Sequence, residues 1–343
     1  MSLPPMITSK ALGLMPEFAL EVGGERALAK ALRLSELPSS LISRRTGYIP
    51  ESALGDFIEC MGREIGQPGI GLLWSPYLTV ADYGSWGQHV LSAPSLAQAL
   101  SRAQQLMPLH SSVDRVEQWH SETSGWYGYS FGLRQHPAYP DIAYSAIGVF
   151  LNLFRHFLGA SWKPKLVCFD FERQAVDHLV DELLACPVQW DAARLGVWYD
   201  IEVSAQVSPR RDTSARITVE DIVRERAGGP PEDLSGHGKS LILLQLEDGG
   251  ISLEKIAKKL DLGPRGLQRR LSKEGATFRE LTNAVRIQRA QELLKLGADS
   301  ITQISDRLGY ENANNFSRAF KTRVGLTPSE YQFIAGRLAT TSG

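Results

Sequence analysis

Apolar residues in the last third of the chain recur at the spacing of amphipathic helices, and one such pattern occurs twice. Each copy has two helical stretches separated by a short break, over Ile251–Lys273 and again over Ser300–Val324. Apolar positions of the first helical stretch lie 48 residues apart in the two copies: Leu253, Ile256 and Leu260, then Ile301, Ile304 and Leu308. The pattern therefore predicts two helix-turn-helix units of one design.

The breaks between the paired helices contain residues that interrupt helices. Pro264 suits the first turn of a helix, where its missing N–H costs nothing, and Gly309 begins the break in the second copy. Asp261 to Leu267 spans six positions, whereas Gly309 to Phe316 spans seven. The second unit is therefore predicted to have one extra residue between its turn and the apolar face of its second helix.

One long helix, Phe278–Leu296, is predicted to join the two units. At ~1.5 Å per residue it spans ~28 Å, which is close to the ~34 Å between major-groove faces one turn apart on DNA. Capping boxes mark three helix starts in this region, at Thr277–Glu280, Ser300–Gln303 and Thr327–Glu330. The spacing predicts a device that reads two neighbouring segments of one duplex.

A helical bundle with basic residues on a solvated face is the alternative interpretation. Single helix-turn-helix patterns arise by chance. The repetition, the matched spacing and the caps together favour DNA binding.

Four motifs in this region, Leu267–Leu271, Ile304–Tyr310, Asn315–Lys321 and Gly325–Tyr331, carry a family resemblance. With them, the segment from about Leu241 to Tyr331 resembles the DNA-binding domain of the AraC/XylS family of bacterial transcription regulators. The resemblance implies that exposed residues on the second helix of each unit contact bases. By position these are Arg265, Gln268 and Arg269 in the first unit and Ala313, Asn314 and Arg318 in the second.

The chemistry of these side chains suits base recognition. Arg bonds guanine in bidentate fashion, and Asn or Gln bonds adenine, each worth ~1–3 kcal/mol of discrimination. Two residues depart from the pattern, since Gly266 weakens its helix by ~1 kcal/mol relative to Ala and Ala313 offers only a contact to a thymine methyl group. Phosphate contacts, which position without specifying, are predicted for Lys258, Lys259, Lys273, Lys321 and Arg323. A solvated surface charge is the alternative for each of these cations.

The net charge of −1 conceals an asymmetry along the chain. From Gly236 onward there are 17 Lys and Arg against 11 Asp and Glu, a balance of +6, whereas the preceding part has 20 against 27, a balance of −7. Nucleic-acid binding is therefore expected only in the carboxyl-terminal part.

Cysteine usage and hydropathy favour a cytoplasmic protein. Cys60, Cys168 and Cys186 are scattered and form no CxxC pair, so neither a disulfide scaffold nor a metal site is predicted. The chain opens with no signal-peptide pattern and has no apolar run of ~18 residues, so no membrane association is expected.

The first two hundred residues show a mixture of helical and strand patterns. Helices are predicted at Glu17–Leu34, Pro50–Ile65, Ser95–Leu106, Asp141–Leu158 and Ala175–Leu184, and strands at Ser111–Trp119, Gly125–Leu133 and Lys165–Phe171. Gly69–Trp74 looks strand-like and Thr79–Gly87 looks like a loop. The expected fold is an α+β amino-terminal regulatory domain followed by an all-α DNA-binding domain with two helix-turn-helix motifs joined by a long helix.

Several segments of this part resemble the long amino-terminal domain of one AraC/XylS subgroup, described as arabinose-binding. They are Arg45–Pro50, Gly69–Leu72, Tyr83–Leu100, Val167–Phe169 and Cys186–Trp190. The description does not make arabinose the ligand, because subgroup members answer to varied small molecules. The resemblance implies a domain that senses an effector, dimerises, or both.

Five aromatic residues are candidates for an effector pocket, because such sites are mostly apolar. They are Trp74, Tyr83, Trp86, Tyr127 and Tyr129. Ordinary core packing is the more common role for such residues.

The predicted domains are an effector-sensing or dimerisation domain over 1–205, a connection over 206–238 and the DNA-binding domain over 239–335. The predicted function is a DNA-binding regulator controlled by a small molecule, and the family resemblance implies an activator. The predicted partners are double-stranded DNA, RNA polymerase, a small-molecule effector and a second copy of the chain. No cofactor is predicted.

Two other functions stay open. The amino-terminal domain could serve only for dimerisation or protein contact, without a small ligand. The chain could instead be an enzyme tethered to DNA, and Gly238-Lys239-Ser240 has the ending of a phosphate-binding loop. Asp233 stands where that motif needs Gly, so no catalytic residue is predicted.

Overall fold

The computed structural model describes residues 3–174, 178–207, 217–247 and 250–341. They divide into two units. The amino-terminal unit consists of Pro5–Leu37 and Leu41–Pro230, and the carboxyl-terminal unit consists of Met1–Pro4, Pro38–Ser40 and Pro231–Gly343. The division at Pro230 falls within the predicted connection, of which residues 208–216 lie outside the described part of the chain.

Helices and strands are mixed in the amino-terminal unit. Its helices are α1 (Met15–Leu34), α2 (Glu51–Ile65), α3 (Ile70–Trp74), α4 (Ser85–Leu91), α5 (Leu96–Leu106), α6 (Tyr139–Leu158), α7 (His178–Leu184) and α8 (Val219–Glu225). Its strands are β1 (Met6–Thr8), β2 (Tyr48–Pro50), β3 (Arg115–His120), β4 (Ser124–Ser130), β5 (Leu166–Cys168), β6 (Val188–Gln189) and β7 (Leu195–Asp200). The predicted α+β class is confirmed.

A five-stranded sheet of order β3-β4-β7-β5-β6 forms one layer of this unit, and β1 pairs with β2 separately. All pairs are antiparallel except β5 with β6. The long helix α6 packs on the sheet, where the ring of Tyr127 from β4 lies 4.7 Å from that of Phe150 and 6.3 Å from that of Phe154. Tyr127 is buried because it fills this interface between sheet and helix.

Two predicted elements of this unit are wrong. Gly69–Trp74 does not form a strand; Ile70–Trp74 is helix α3. The predicted loop Thr79–Gly87 contains a 3-10 helix, Val80–Tyr83, and the start of α4. A short apolar run cannot be distinguished from a buried helix by its periodicity. The predicted helix Ala175–Leu184 is described from His178 as α7, and residues 175–177 lie outside the described part.

Only helices occur among the described elements of the carboxyl-terminal unit. They are α9 (Leu234–Glu247), α10 (Leu253–Lys259), α11 (Pro264–Lys273), α12 (Phe278–Leu296), α13 (Ile301–Arg307), α14 (Ala313–Val324) and α15 (Pro328–Thr341). The joining helix has the predicted ends, and the three predicted capping boxes are all formed. The all-α class predicted for this part is confirmed.

The core of the carboxyl-terminal unit is built from the apolar positions that define the repeat. Ile256 and Ile304 are fully buried, as are Leu267 and Leu271 of α11 and Phe316 and Phe320 of α14. Leu267 and Leu271, like Phe316 and Phe320, are four residues apart and so lie on one helix face. The opposite face of each helix is left to solvent.

Candidate DNA interface and effector cavity

The repeat seen in the sequence is also a repeat of backbone hydrogen bonds. In the first copy the N–H of Leu262 donates to the carbonyl of Ala257 at 2.8 Å, and in the second copy Tyr310 donates to Ser305 at 3.1 Å. These donors and acceptors are each 48 positions apart. The two turns therefore have one design.

Both turns pass through a left-handed residue at the same place. Asp261 has φ 53° and its counterpart Gly309 has φ 70°. Glycine adopts this conformation without steric cost, and Asp tolerates it better than most other residues. The turn therefore selects the residue type in both copies.

The extra residue of the second copy lies directly after this turn. The residue that precedes α11 is Gly263 and the one that precedes α14 is Asn312, which are 49 positions apart. Asn312 caps its helix, since its side-chain oxygen accepts from the N–H of Asn315 at 2.8 Å. The second helix of each unit therefore aligns at an offset of 49.

That offset pairs the exposed residues of the two recognition helices, α11 and α14. Arg265 corresponds to Asn314 and Arg269 corresponds to Arg318, and all four are exposed. Gln268, also exposed, corresponds to Ser317, which is partly exposed. On each helix these positions are i, i+3 and i+4, so they share one face.

The alignment differs in one respect from the residues predicted to contact bases. Ala313 corresponds to Pro264 in the first turn of α11, whereas Ser317 occupies the position of Gln268. Ser317 is not among the residues predicted to contact bases, although counting the extra residue after the turn identifies it. We therefore add Ser317 to the candidate interface.

The Arg318 side chain is already held on the exposed face. Its Nη2 donates to Asn315 Oδ1 at 2.6 Å, and Asn315 Nδ2 donates to Glu311 at 3.3 Å. A guanidinium held by a neutral amide keeps its charge and can be aimed at a base edge with less loss of side-chain entropy. Asn315 thus holds the Arg318 side chain in place.

The cations predicted to contact phosphate occupy the ends of these helices. Lys258 and Lys259 lie in the last turn of α10, Lys273 in that of α11, and Lys321 and Arg323 in that of α14. All are exposed except Lys259, which is half-buried. Each of these cations therefore remains a candidate phosphate contact.

Gly238-Lys239-Ser240 lies inside helix α9, not in a loop. Within a helix the backbone N–H groups are used by intrahelical hydrogen bonds and cannot surround a phosphate. This segment therefore lacks the geometry of a phosphate-binding loop.

A cavity of about 90 Å³ lies inside the amino-terminal unit. Tyr83, Trp86, Tyr127 and Tyr129, four of the five predicted pocket aromatics, line it together with His110. Trp74 is not among the lining residues. Its ring is buried, and its indole N–H donates to Ser145 Oγ at 2.7 Å. The structure thus brings four of the candidate residues to one cavity.

A buried carboxyl pair stands behind one wall of this cavity. Asp114 accepts from the hydroxyl of Tyr129 and, at 2.8 Å, from the N–H of Gly132. Glu51 lies against Asp114, and burial, together with the hydrogen bond and charge of Asp114, raises the pKa of Glu51 to about 10. Its buried Oε2 has no hydrogen-bond partner, which is less costly for a protonated carboxyl than for a charged carboxylate. Glu51 is therefore the proton-carrying partner of the pair.

Three side chains on the surface of the same unit come close enough to suggest a metal site. Donor atoms of Asp56, Glu59 and His136 lie within 4.8 Å of one another. The N–H of Ala138 donates to His136 Nδ1 at 3.2 Å, so the neutral ring carries its proton on Nε2, which faces Asp56 at 3.3 Å. A protonated nitrogen is not a metal ligand, so this geometry suits a hydrogen bond.

None of the helices that the structure describes is long and apolar enough to span a bilayer.

Comparison with known proteins connects both units to one family. Residues 26–206, more than half of the chain, match the amino-terminal arabinose-binding domain of AraC transcription regulators, and residues 256–333 match a helix-turn-helix domain. The HTH-type transcriptional regulator VirS of Mycobacterium tuberculosis is 22% identical over 311 residues, which cover 89% of this chain and 90% of VirS.

Other relatives match over a shorter stretch of the chain. An uncharacterized HTH-type transcriptional regulator of Mycobacterium tuberculosis is 45% identical over 76 residues, which are 22% of either chain. This chain therefore spans about a fifth of the length of that relative. The HTH-type transcriptional regulator GadX of Escherichia coli is 33% identical over 81 residues, 24% of this chain and 30% of GadX.

The resemblance to the AraC/XylS family is confirmed by these matches, and the match to the amino-terminal domain is the one that covers most of the chain. The chain belongs to the AraC/XylS family of transcription regulators, with an arabinose-binding-type amino-terminal domain and a carboxyl-terminal helix-turn-helix domain.

Proposed function

We propose that this protein regulates transcription by reading two neighbouring major-groove segments of DNA with α11 and α14, under the control of a small molecule bound in its amino-terminal unit. The observation that carries the proposal is the matched set of exposed polar residues on the two helices. Each set lies opposite a fully buried apolar pair, so each helix is anchored by one face and offers the other to a groove.

The two helices offer related but unequal chemistry to DNA. Arg269 and Arg318 occupy equivalent positions, and each suits the O6 and N7 acceptors of guanine. Arg265 corresponds to Asn314, whose amide suits adenine. Gln268 corresponds to the shorter Ser317. Because the residues differ, we expect a site of two unlike half-segments.

The distribution of charge along the chain also supports DNA binding by the carboxyl-terminal unit. The part of the chain from Gly236 onward has a balance of +6, and the cations at the helix ends suit phosphate oxygens. The amino-terminal part, at −7, would be repelled by phosphate. DNA is therefore expected to contact the carboxyl-terminal unit.

Control by a small molecule is the finer part of the proposal. An apolar cavity lined by aromatic residues is the usual form of such a site. Occupancy would shift the population of conformers and so change DNA affinity or contact with RNA polymerase. We propose activation and a homodimer, as the family resemblance implies, and a cytoplasmic location.

The alternative is a regulator whose amino-terminal unit only dimerises or contacts proteins. The effector is favoured because the space is apolar and the unpartnered Nδ1 belongs to His110, a residue that lines it. The enzyme alternative has less support, since the named relatives are transcription regulators.

A footprint on DNA flanking the gene for this protein tests the proposal. The purified full chain should protect two patches about ten base pairs apart on one face of the duplex. A single continuous protected patch would contradict paired recognition helices. So would protection that shifts along the DNA when only the DNA sequence outside the two patches is scrambled.

Variants separate base contacts from phosphate contacts. Arg318→Ala and Arg269→Ala should each weaken specific binding by ~1–3 kcal/mol and leave affinity for random DNA nearly unchanged. Lys321→Ala should weaken binding to both DNAs and reduce the salt dependence. Arg224→Ala, exposed on α8 in the other unit, is the matched control and should change neither. Equal losses on both DNAs for Arg318→Ala would mean that Arg318 contacts phosphate.

A further inference from the structure

The cavity of the amino-terminal unit has walls that are almost wholly apolar. Helices α2, α5 and α6 contribute aliphatic side chains, and β4 contributes Tyr127 and Tyr129. Among the residues that the structure describes, no Asp, Glu, Lys or Arg lines it. A charged ligand would lose its hydration there without gaining a counter-charge, which is costly. The cavity therefore selects for neutral molecules.

Several polar groups at the cavity wall already have partners. The hydroxyl of Ser145 donates to the carbonyl of Asp141 at 2.7 Å and accepts from the indole of Trp74. The hydroxyl of Tyr129 donates to Asp114. These groups are committed to the fold and have little left to offer a ligand.

His110 is different, because its Nδ1 is buried and has no hydrogen-bond partner. The residue is only 6% exposed, and its ring stands among aromatic neighbours, 5.0 Å from Tyr83 and 5.5 Å from Trp86. Burial, assisted by the charge of Arg226, lowers the pKa of His110 to about 3, so the ring is neutral. An unpaired buried polar atom costs about 1–3 kcal/mol, and a ligand that pairs with it recovers part of this cost.

We propose that the cavity binds a small neutral alcohol or phenol whose hydroxyl pairs with His110 Nδ1 while its hydrocarbon part fills the apolar space. A hydroxyl both donates and accepts, so it suits either tautomer of the neutral ring. This inference rests on the proposed effector control, and it names the chemical class of the effector and the residue that recognises it.

The volume limits the size of the ligand. A dry apolar cavity of ~150 Å³ in another protein accommodates benzene, and the cavity here is about 90 Å³. A single ring is therefore the upper limit without widening of the walls. Phenol is a suitable probe because it combines one ring with one hydroxyl.

The test is a thermal-unfolding titration of the full chain with phenol, benzene and benzoate, followed by tryptophan fluorescence. All seven Trp lie at or before Trp198, so the signal reports on the amino-terminal unit alone. Phenol should raise Tm by roughly 2–4 °C at about five times its Kd. Benzene should bind about tenfold more weakly, and benzoate should give no shift.

Two variants make the result specific to the cavity. His110→Phe keeps a ring of similar size but removes the nitrogen, so phenol and benzene should then bind about equally. Ala146→Leu fills the cavity from α6, and it should abolish the shift with either compound. If His110→Phe does not fold, Ala146→Leu still tests the location.

Three outcomes overturn the inference: no shift with phenol, an equal shift with benzoate, or a phenol shift that survives Ala146→Leu. None of these measurements involves DNA, so they are independent of the footprint. A chain that protects its DNA site and ignores phenol remains a regulator, and the ligand assignment alone fails. If phenol binds but leaves the DNA affinity unchanged, the ligand site is supported and the proposed effector control fails.

Discussion

Arg226 Nη2 donates a hydrogen bond of 2.7 Å to the backbone carbonyl of Tyr83, and its Nη1 donates to the hydroxyl of Thr8. The guanidinium is only 2% exposed, and both partners are uncharged. Burial accordingly lowers the pKa of Arg226. Because the ring of Tyr83 lines the cavity, this bond ties the segment after α8 to a residue of the cavity wall.

Loss of that bond should loosen α8. In Arg226→Met the stem remains while the two hydrogen bonds disappear, and bonds to a charged donor are worth about 1.5–3 kcal/mol each. We expect the amides of α8 to exchange with solvent at least ~10-fold faster, as measured by hydrogen exchange on the full chain.

Arg224→Met is the matched control for this change. The Arg224 side chain is 79% exposed and, among the described residues, pairs with Asp221, three residues earlier on the same helix, at 3.3 Å. An exposed pair of this kind contributes little, so exchange in α8 should barely change. Equal effects of the two variants would mean that Arg226 does not fasten the helix.

Replacing glycine by alanine should stabilise the carboxyl-terminal unit at one position and destabilise it at another. Gly266 lies inside α11 with open space around it, so Gly266→Ala should stabilise the unit by ~1 kcal/mol. Gly309 has φ 70°, where a side chain is strained, so Gly309→Ala should destabilise it by ~1–2 kcal/mol. Hydrogen exchange of buried amides in α11 and α14 measures both, and effects of equal sign would contradict the turn geometry.

Removing the hydroxyl of Ser305 should stabilise the carboxyl-terminal unit. Its side chain is fully buried and Oγ has no hydrogen-bond partner. An unsatisfied buried hydroxyl is unfavourable, so Ser305→Ala is expected to stabilise the unit by about 1 kcal/mol. Ser272→Ala, at an exposed helical position, controls for helix propensity alone and should give a smaller gain. The slowest-exchanging amides of α13 provide the measurement.

Glu51 should make the amino-terminal unit less stable as the pH rises. The pKa of Glu51 is about 10 in the folded chain and 4.5 ordinarily, so its stabilising contribution is complete below pH 4.5 and is lost progressively up to about pH 10. The slope is at most ~1.4 kcal/mol per pH unit. The Glu51→Gln side chain can still donate a hydrogen bond but has no ionisable proton. The free energy of unfolding of this variant should therefore vary less than that of the unmodified chain between pH 6 and 9, a range that lies between the two pKa values.

Urea unfolding followed by tryptophan fluorescence across this pH range measures the free energy of unfolding of the amino-terminal unit. Glu254→Gln, an exposed carboxyl on α10, should leave the pH profile unchanged. A Glu51→Gln profile as steep as that of the unmodified chain would place the titration elsewhere.

The sequence alone determined the two helix-turn-helix units and the helix that joins them in detail. Thr277 and Glu280 close a capping box that sets the start of α12, and Gly297, left-handed at φ 68°, sets its end. These signals act between residues a few positions apart, so they can be read without knowledge of the fold. The periodic burial of Leu267 and Phe316 is local in the same sense.

Signals of that kind were missing where neighbours distant in sequence decide the structure. Ile70–Trp74 became helix because Gly71 lies against α6, where its N–H donates to Asp141 at 2.8 Å and a Cβ would collide with the Asp141 carbonyl. Helix α9 was not predicted because Leu241, Ile242 and their neighbours are buried on several sides, which removes the amphipathic period.

The two candidate sites differ in the same way: one follows from local sequence signals and the other from long-range packing. The aligned positions of α11 and α14 follow from helix periodicity, and of these six residues only Ser317 was absent from the candidates. The cavity of the amino-terminal unit depends on packing between β4, α2 and α6, and on His110, whose neighbours Tyr83 and Trp86 come from another part of the chain. Local hydrogen bonds and periodicity are encoded in short stretches of sequence, whereas a cavity exists only where distant side chains fail to fill the space between them.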